Sequence, residues 1–218
     1  MIRSLLVTAA IWAVLAGAAF SHPHIFVDTG IEVIFDDQAK ATGLRITWAY
    51  DDLFSLMIVE ERNMDADFDG NLTPEESAAI QGFDMQWDAG YAGDTYALSG
   101  EVLLPLSAPA DWTTTYADGR LISTHLRHFA DPVTLGDPLV VQVYDPSFYT
   151  AYSIAMTTAL TGRADCAAQV FEPDRAAADA ILQAAIAEQA GSTDIEGDFP
   201  AIGAAYSEEV RVTCAARS

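Results

Sequence analysis

The chain has 218 residues, of which 51% are hydrophobic, and its 32 Asp and Glu outnumber its 10 Lys and Arg, giving a formal net charge of -22. This length suits one domain with a sizeable hydrophobic core. The acidic balance argues against nucleic acid as a partner, because phosphate binding needs basic patches, and it disfavours anionic membrane surfaces. An acidic surface suits cations, and it also serves solubility.

The first 21 residues have the order of a secretory signal peptide. Arg3 is followed by an apolar run at 5–15 and then by small residues at 16–19, which matches a basic start, a short apolar segment and a cleavage site. Cleavage after Ser21 makes His22 the new amino terminus, and cleavage after Ala19 is the alternative. The run is short for a membrane span, and no second apolar stretch of spanning length follows. We therefore expect residues 22–218 to form a single periplasmic domain that is not inserted in the membrane.

Residues 25–50 alternate apolar and polar side chains, which predicts a β-hairpin that turns at Asp36 and Asp37. The spacing then changes to the three and four residues typical of a helix, at Leu53, Phe54, Met57 and Ile58. A short helix is therefore expected to lead into Asp65.

Residues 65–76 match the twelve-position EF-hand calcium loop. Calcium takes six to eight oxygen ligands, and Gly70 supplies the sharp turn that the loop needs. The residues expected to bind Ca²⁺ are Asp65, Asp67, Asp69, Asn71, Thr73 and Glu76. The sequence holds a single such loop, so we expect the ion to stabilise the fold rather than to signal, with a dissociation constant of roughly 10⁻⁴ to 10⁻³ M.

The end of this loop also predicts a helix start. Thr73 is a hydroxyl N-cap and Pro74 occupies the first helical position. The helix is expected to run to about Trp87, with Ile80 on its inner face. A helix–loop–helix insertion is therefore predicted at about 53–87.

The second half of the chain predicts more strands and one long helix. Segments with strand character, separated by turn residues, lie at 96–106, 113–116, 121–129 and 139–144. A helix is expected at 175–190 and a terminal strand at 208–215. The predicted fold class is thus α+β, a mainly antiparallel β-sandwich-like domain with an inserted single EF-hand and a C-terminal helix and strand.

Cys166 and Cys214 are the two cysteines of the chain, and an oxidising compartment predicts a disulfide between them. The alternative, a two-cysteine metal site, would need further ligands nearby. No histidine follows His128, so the sequence favours the disulfide.

The four histidines form two close pairs, His22 with His24 and His125 with His128. Residues two apart on a strand project to one face, so His22 and His24 can bind one transition metal through their imidazoles. His125 and His128 are three apart, so we expect only one of them, His125, to point toward a shared site. The α-amino group of a new terminal His22 could chelate copper together with its own ring. The alternative is that these are surface histidines that bind nothing.

With these residues in view, the chain resembles the DUF1007 family of bacterial periplasmic proteins, over essentially the whole of the mature sequence. The motifs that carry the resemblance are 22–28, the acidic loop ending in Glu76, Trp48 with Asp51 and Phe54, and Tyr144, Asp145, Pro146, Phe148 and Tyr149. The resemblance implies a periplasmic role beside transition-metal transporters, chiefly for nickel and cobalt and also for zinc.

These observations predict a periplasmic metal-binding accessory protein with an inner-membrane metal transporter as its partner. It would hold a structural Ca²⁺ and present Ni²⁺, Co²⁺, Zn²⁺ or Cu²⁺ at its histidines. One alternative is a secreted copper- or zinc-dependent enzyme that uses the N-terminal histidines, which would need an open coordination position and a general base. Another is an adaptor stabilised by calcium that binds no transition metal. The sequence contains no nucleophile-elbow, P-loop or H-E-x-x-H motif, so no catalytic residue is assigned.

Overall fold

The computed structural model describes residues 22–188 and 199–215. The predicted signal peptide lies outside this range, as do the last two residues of the predicted long helix and most of the loop that follows. The described residues form two sheets, of six and five strands, together with four helices. The fold is therefore α+β and mostly β, as the sequence predicted.

In chain order the elements are β1 (Ile25–Phe35), β2 (Ala41–Tyr50), α1 (Asp52–Glu61), α2 (Pro74–Ala79), β3 (Thr95–Ser99), β4 (Val102–Leu104), β5 (Ala110–Ala117), β6 (Arg120–Val133), β7 (Leu139–Val143), β8 (Thr150–Ser153), β9 (Ala159–Thr161), β10 (Cys166–Phe171), α3 (Arg175–Glu188), α4 (Gly203–Tyr206) and β11 (Glu209–Cys214).

The first sheet has the strand order β5-β6-β2-β1-β8, and β9 also pairs with β1. The predicted hairpin is confirmed, because β1 and β2 are antiparallel and pair Thr29 with Trp48 and Ile31 with Ile46. Both β8 and β9 run parallel to β1, so this sheet is mixed.

The second sheet has the order β10-β11-β7-β3-β4, and its strands are antiparallel. The strand predicted at 96–106 is in fact a hairpin of β3 and β4, which reverses at Gly100 with a φ of 58°. Cys166 and Cys214 lie opposite each other on β10 and β11 and form the predicted disulfide.

Side chains of both sheets meet in one hydrophobic core. Ile31, Leu44 and Ile46 come from the first sheet, and Val141 and Val210 come from the second. The apolar and polar residues that alternate in the sequence of these strands therefore point alternately to this core and to the outer faces of the sheets.

The two helices beside the acidic loop begin where the sequence predicts. The side chain of Asp51 accepts a hydrogen bond from the N–H of Phe54 and caps α1. Thr73 caps α2, but α2 ends at Ala79, so the predicted extension to about Trp87 is wrong. Gly82 has a φ of 65°, which interrupts any right-handed helix at that point.

The predicted long helix is confirmed as α3 as far as the structure describes it. The sequence did not predict β8, β9, β10 or α4. The side chains of the three strands are mostly exposed or half-buried, so the alternation that reveals a half-buried strand is weak there. The helix α4 has only four residues, too few to show a helical spacing. None of the described helices is long and apolar enough to cross a membrane.

Candidate metal sites

The acidic loop, residues 65–76, joins α1 to α2. Asp65, Asp67 and Asp69 each place a carboxylate oxygen within 4.8 Å of the other two. Asp65 is buried, whereas Asp67 and Asp69 are exposed. Carboxylates that converge in this way repel one another, and a cation between them relieves the repulsion. The arrangement fits a hard ion such as Ca²⁺, which prefers oxygen ligands.

Hydrogen bonds fix the shape of the loop. The carboxylate of Asp65 accepts from the backbone N–H of Asp69 at 3.0 Å and of Gly70 at 3.2 Å. Gly70 has a φ of 79°, a left-handed conformation that glycine adopts without a Cβ penalty. Across the loop, Glu76 Oε1 accepts from the N–H of Asp65 at 3.0 Å. The first and last residues of the loop are therefore held together.

Glu76 also caps α2. Its Oε2 accepts from the backbone N–H and the hydroxyl of Thr73, both at 2.8 Å, and Thr73 Oγ1 accepts from the N–H of Glu76 at 3.2 Å. This reciprocal pair is a capping box. Hydrogen bonds from Thr73 lower the pKa of Glu76, so its carboxylate stays charged in mildly acidic solution. Glu76 lies beside the three converging aspartates rather than among them.

The remaining loop residues bind the loop to itself and to the protein. Asn71 is exposed, and its side-chain amide donates to the carbonyl of Asp69 at 3.2 Å. Leu72 is half-buried and packs against the hydrophobic core. The loop is thus attached to the core of its own domain, where a paired EF-hand would attach to a second loop.

His22 and His24 lie directly before β1. The N–H of His24 donates to the carbonyl of Tyr149 at 2.8 Å. The ring centroids of His22 and His24 are 5.0 Å apart, and the ring of Tyr149 lies 4.7 Å from that of His24. The ring of Phe199 packs 4.0 Å from that of His22. The structure therefore brings the two imidazoles together in an aromatic setting at the start of the first sheet.

His125 lies elsewhere, fully buried on β6. Its ring lies 4.6 Å from that of Trp48 and 5.5 Å from that of Trp87, and neither ring nitrogen has a hydrogen-bond partner in the part of the chain that the structure describes. Burial lowers the pKa of His125 to about 3, with a smaller effect from the charge of Arg127.

The structure does not bring His125 together with His22 and His24. Among residues 22–188 and 199–215, the three aspartates of the acidic loop are the one group of three or more His, Cys, Asp or Glu with converging ligand atoms. The reason is strand geometry, because His125 pairs in register with Ile46 and faces the core. His128 is exposed on the same strand.

Two carboxylates that pack inside the protein, the half-buried Asp84 and the buried Asp94, were not predicted. Asp84 Oδ2 accepts from the hydroxyls of Tyr50, at 2.8 Å, and Ser123, and burial raises the pKa of Asp84. Asp94 Oδ2 accepts from the hydroxyl of Tyr152 at 2.8 Å, and burial raises the pKa of Asp94 to about 6. Their partners lie 34 to 58 residues away along the chain, so no local motif signals them.

Asp94 also lines an open cleft of about 500 Å³. The polar side chains around it include Tyr91, Tyr96, Asp145 and Ser147. Among the residues that the structure describes, its lining contains no histidine and no cysteine, so these residues do not supply the nitrogen or sulfur ligands of a zinc or copper centre.

The fold and the acidic loop together define a class, that of disulfide-linked, mostly β proteins with an acidic loop between two short helices. A family model described as "Protein of unknown function (DUF1007)" matches residues 7–214. The chain therefore belongs to the DUF1007 family, and the resemblance seen in its motifs is confirmed. No curated protein and no solved structure matches the chain.

Proposed function

We propose that this protein is a periplasmic metal-binding accessory protein that serves transition-metal transport and holds a structural Ca²⁺ in its acidic loop. The observation that carries the calcium site is the convergence of Asp65, Asp67 and Asp69, with Glu76 hydrogen-bonded across the loop. In this proposal α1, the loop and α2 form one EF-hand. The disulfide agrees with an oxidising compartment such as the periplasm.

The attachments of the loop support a structural role for the ion. Leu72 packs on the core, and the entering helix α1 is fixed to β1 because Asp51 accepts a hydrogen bond from the N–H of Phe26 at 2.8 Å. An ion that holds Asp65 and Asp69 together would therefore tie both helices to the sheets. Its removal would loosen this corner of the domain.

A thermal-unfolding titration with CaCl₂ at constant ionic strength tests the calcium site. An ion that binds only the folded state adds about 1.4 to 2.7 kcal/mol at a tenfold to hundredfold excess over its dissociation constant. We expect Tm to rise with calcium for the native chain and to stay constant for Asp67→Ala, because Asp67 is an exposed member of the group. The matched control is Asp37→Ala, an exposed acid in the β1–β2 turn that should keep the full response. A calcium response that survives Asp67→Ala would contradict the proposal.

The second part of the proposal places a transition metal at His22 and His24. Two imidazoles close together suit Ni²⁺, Co²⁺, Zn²⁺ or Cu²⁺ as cargo for an inner-membrane transporter. Because His24 is exposed, it can give up its metal to a partner. The further ligands would come from solvent, the partner or a processed amino terminus.

Isothermal titration with each of the four metals tests this site, using His24→Ala against two histidine controls. We expect His24→Ala to abolish binding, while His125→Leu leaves it unchanged because His125 is sealed in the core. His128→Ala, an exposed histidine on β6, should also leave it unchanged. Unaltered binding by His24→Ala would contradict the transition-metal role and favour the calcium-stabilised adaptor. The enzyme alternative requires turnover by the metal-loaded protein that the metal-free protein lacks.

A further inference from the structure

The helix α1 is apolar on two sides. Phe54 and Ile58 pack against the core, and Val59 is buried beside them. On the opposite side, Leu53 is 76% exposed and Met57 is 52% exposed. A helix with apolar residues on two opposite sides normally buries both of them, and the described residues cover α1 on one side only.

The uncovered side forms one face of the helix and one wall of a groove. Leu53, Leu56, Met57 and Glu60 recur at the three- and four-residue spacing of a single helical face. They line a groove of about 700 Å³, and its other described lining residues are His24, Ile25, Phe54 and Tyr149. Phe26, which follows Ile25 on β1, is 54% exposed, and its backbone N–H donates to Asp51 at the start of α1.

We propose that this groove docks an amphipathic helix of a partner protein, with its apolar face on Leu53, Leu56 and Met57 and basic side chains at its edge. An apolar helix laid in an apolar groove is a recurring mode of peptide recognition. Methionine suits such surfaces because its side chain adapts to different partners. The inference does not depend on the metals of the proposed function.

Charge favours a basic partner helix over a second copy of this chain and over an anionic lipid surface. Glu60 lies in the groove, Asp52 and Glu61 lie on the same helix, and none of the described lining residues is Lys or Arg. A basic partner is therefore attracted, and the net charge of -22 strengthens the attraction over distance. A second copy of this chain carries the same charge and is repelled, as is an anionic lipid surface.

The probe is a synthetic peptide of about 18 residues with Leu along one helical face and Lys along the other. Fluorescence anisotropy of the labelled peptide is followed as purified protein is added, at fixed calcium. We expect saturable binding that weakens at least about tenfold in the double variant Leu53→Gln/Met57→Gln. The matched control is Ile181→Gln, which replaces an exposed apolar residue on α3 and should leave the affinity unchanged.

Two control peptides separate the apolar and charge contributions. A peptide of the same composition, shuffled so that it has no apolar face, and a Leu and Glu peptide with the original pattern should both bind at least about tenfold more weakly. Equal binding of either control peptide, or a double variant that binds like the native chain, would overturn the proposal.

Separate experiments test the two other possible occupants of the groove, a second copy of this chain and a lipid surface. Sedimentation should show a monomer, and a dimer that dissociates in Leu53→Gln/Met57→Gln would overturn the proposal in favour of a second copy. Vesicles of phosphatidylcholine, with and without phosphatidylglycerol, should not bind the protein. Vesicle binding that the double variant loses would overturn the proposal in favour of a lipid surface.

Discussion

At the scale of single residues, Asp94 links folding to pH. It is 5% exposed and accepts a hydrogen bond from Tyr152, yet burial raises its pKa to about 6, above the 3.8 of a free aspartate. Between these two values the folded protein holds a proton that the unfolded chain has lost. The contribution of Asp94 to stability is therefore present at low pH and is lost as the pH rises through about 6.

Asp94→Asn should remove this loss, because the amide does not titrate and still offers an oxygen to the hydroxyl of Tyr152. We expect the free energy of unfolding of the variant, relative to the native chain, to rise by roughly 1 to 3 kcal/mol between pH 4 and pH 7. Denaturant unfolding across this range measures the difference. Asp118→Asn, at an exposed turn, serves as the control. The difference in free energy of unfolding between this variant and the native chain should be the same at every pH. If the free energy of unfolding of Asp94→Asn changes with pH in the same way as that of the native chain, the role of Asp94 is refuted.

The sequence predicts some site residues and not others, for a simple physical reason. Asp65, Asp67 and Asp69 converge within one loop, so their spacing along the chain already contains the geometry. Asp84 and His125 take their roles from strand register and core packing, which join distant parts of the chain. The local spacing of residues in the sequence cannot predict such long-range contacts.

At the scale of elements, the sequence failed to predict secondary structure in two situations. In one, a single glycine ended a helix early, and in the other, the strands had only a weak alternation of apolar and polar residues. Ile80 and Trp87 both face inward, as a helix would place them, but Gly82 turns the chain between them. The hairpin β1–β2 was predicted because one of its faces is buried along most of its length. The strands β8 and β9 are short, and their parallel pairing with β1 depends on residues more than 100 positions away.

The disulfide should contribute strongly to the second sheet. It joins β10 to β11 across a separation of 48 residues, and the chain-entropy model gives about 4 kcal/mol for a loop of this length. We expect Cys166→Ser/Cys214→Ser to lower the free energy of unfolding by about that amount in guanidinium titrations. Reductant should lower the free energy of unfolding of the native chain by the same amount. The double variant itself should not respond to reductant. A loss below about 1 kcal/mol would show that the strand pairing alone holds β10 and β11.

At the scale of the whole molecule, charge opposes folding. With 32 acidic and 10 basic residues, acidic charges exceed basic ones by 22 at neutral pH. Folding brings these charges closer together, and their mutual repulsion destabilises the compact state. Calcium in the acidic loop would neutralise part of this charge at one point, whereas salt screens all of it.

We therefore expect NaCl to stabilise the protein at pH 7, with Tm rising as its concentration increases from about 0.02 to 0.5 M, because the screening length shortens from roughly 20 Å to a few Å. A chelator must be present, so that no bound calcium contributes. The control is the same titration near pH 4, close to the sequence isoelectric point of about 4.1, where the net charge is near zero and the response should vanish. Differential scanning calorimetry measures both series. Equal responses at the two pH values would show that salt acts through something other than the excess of acidic charge.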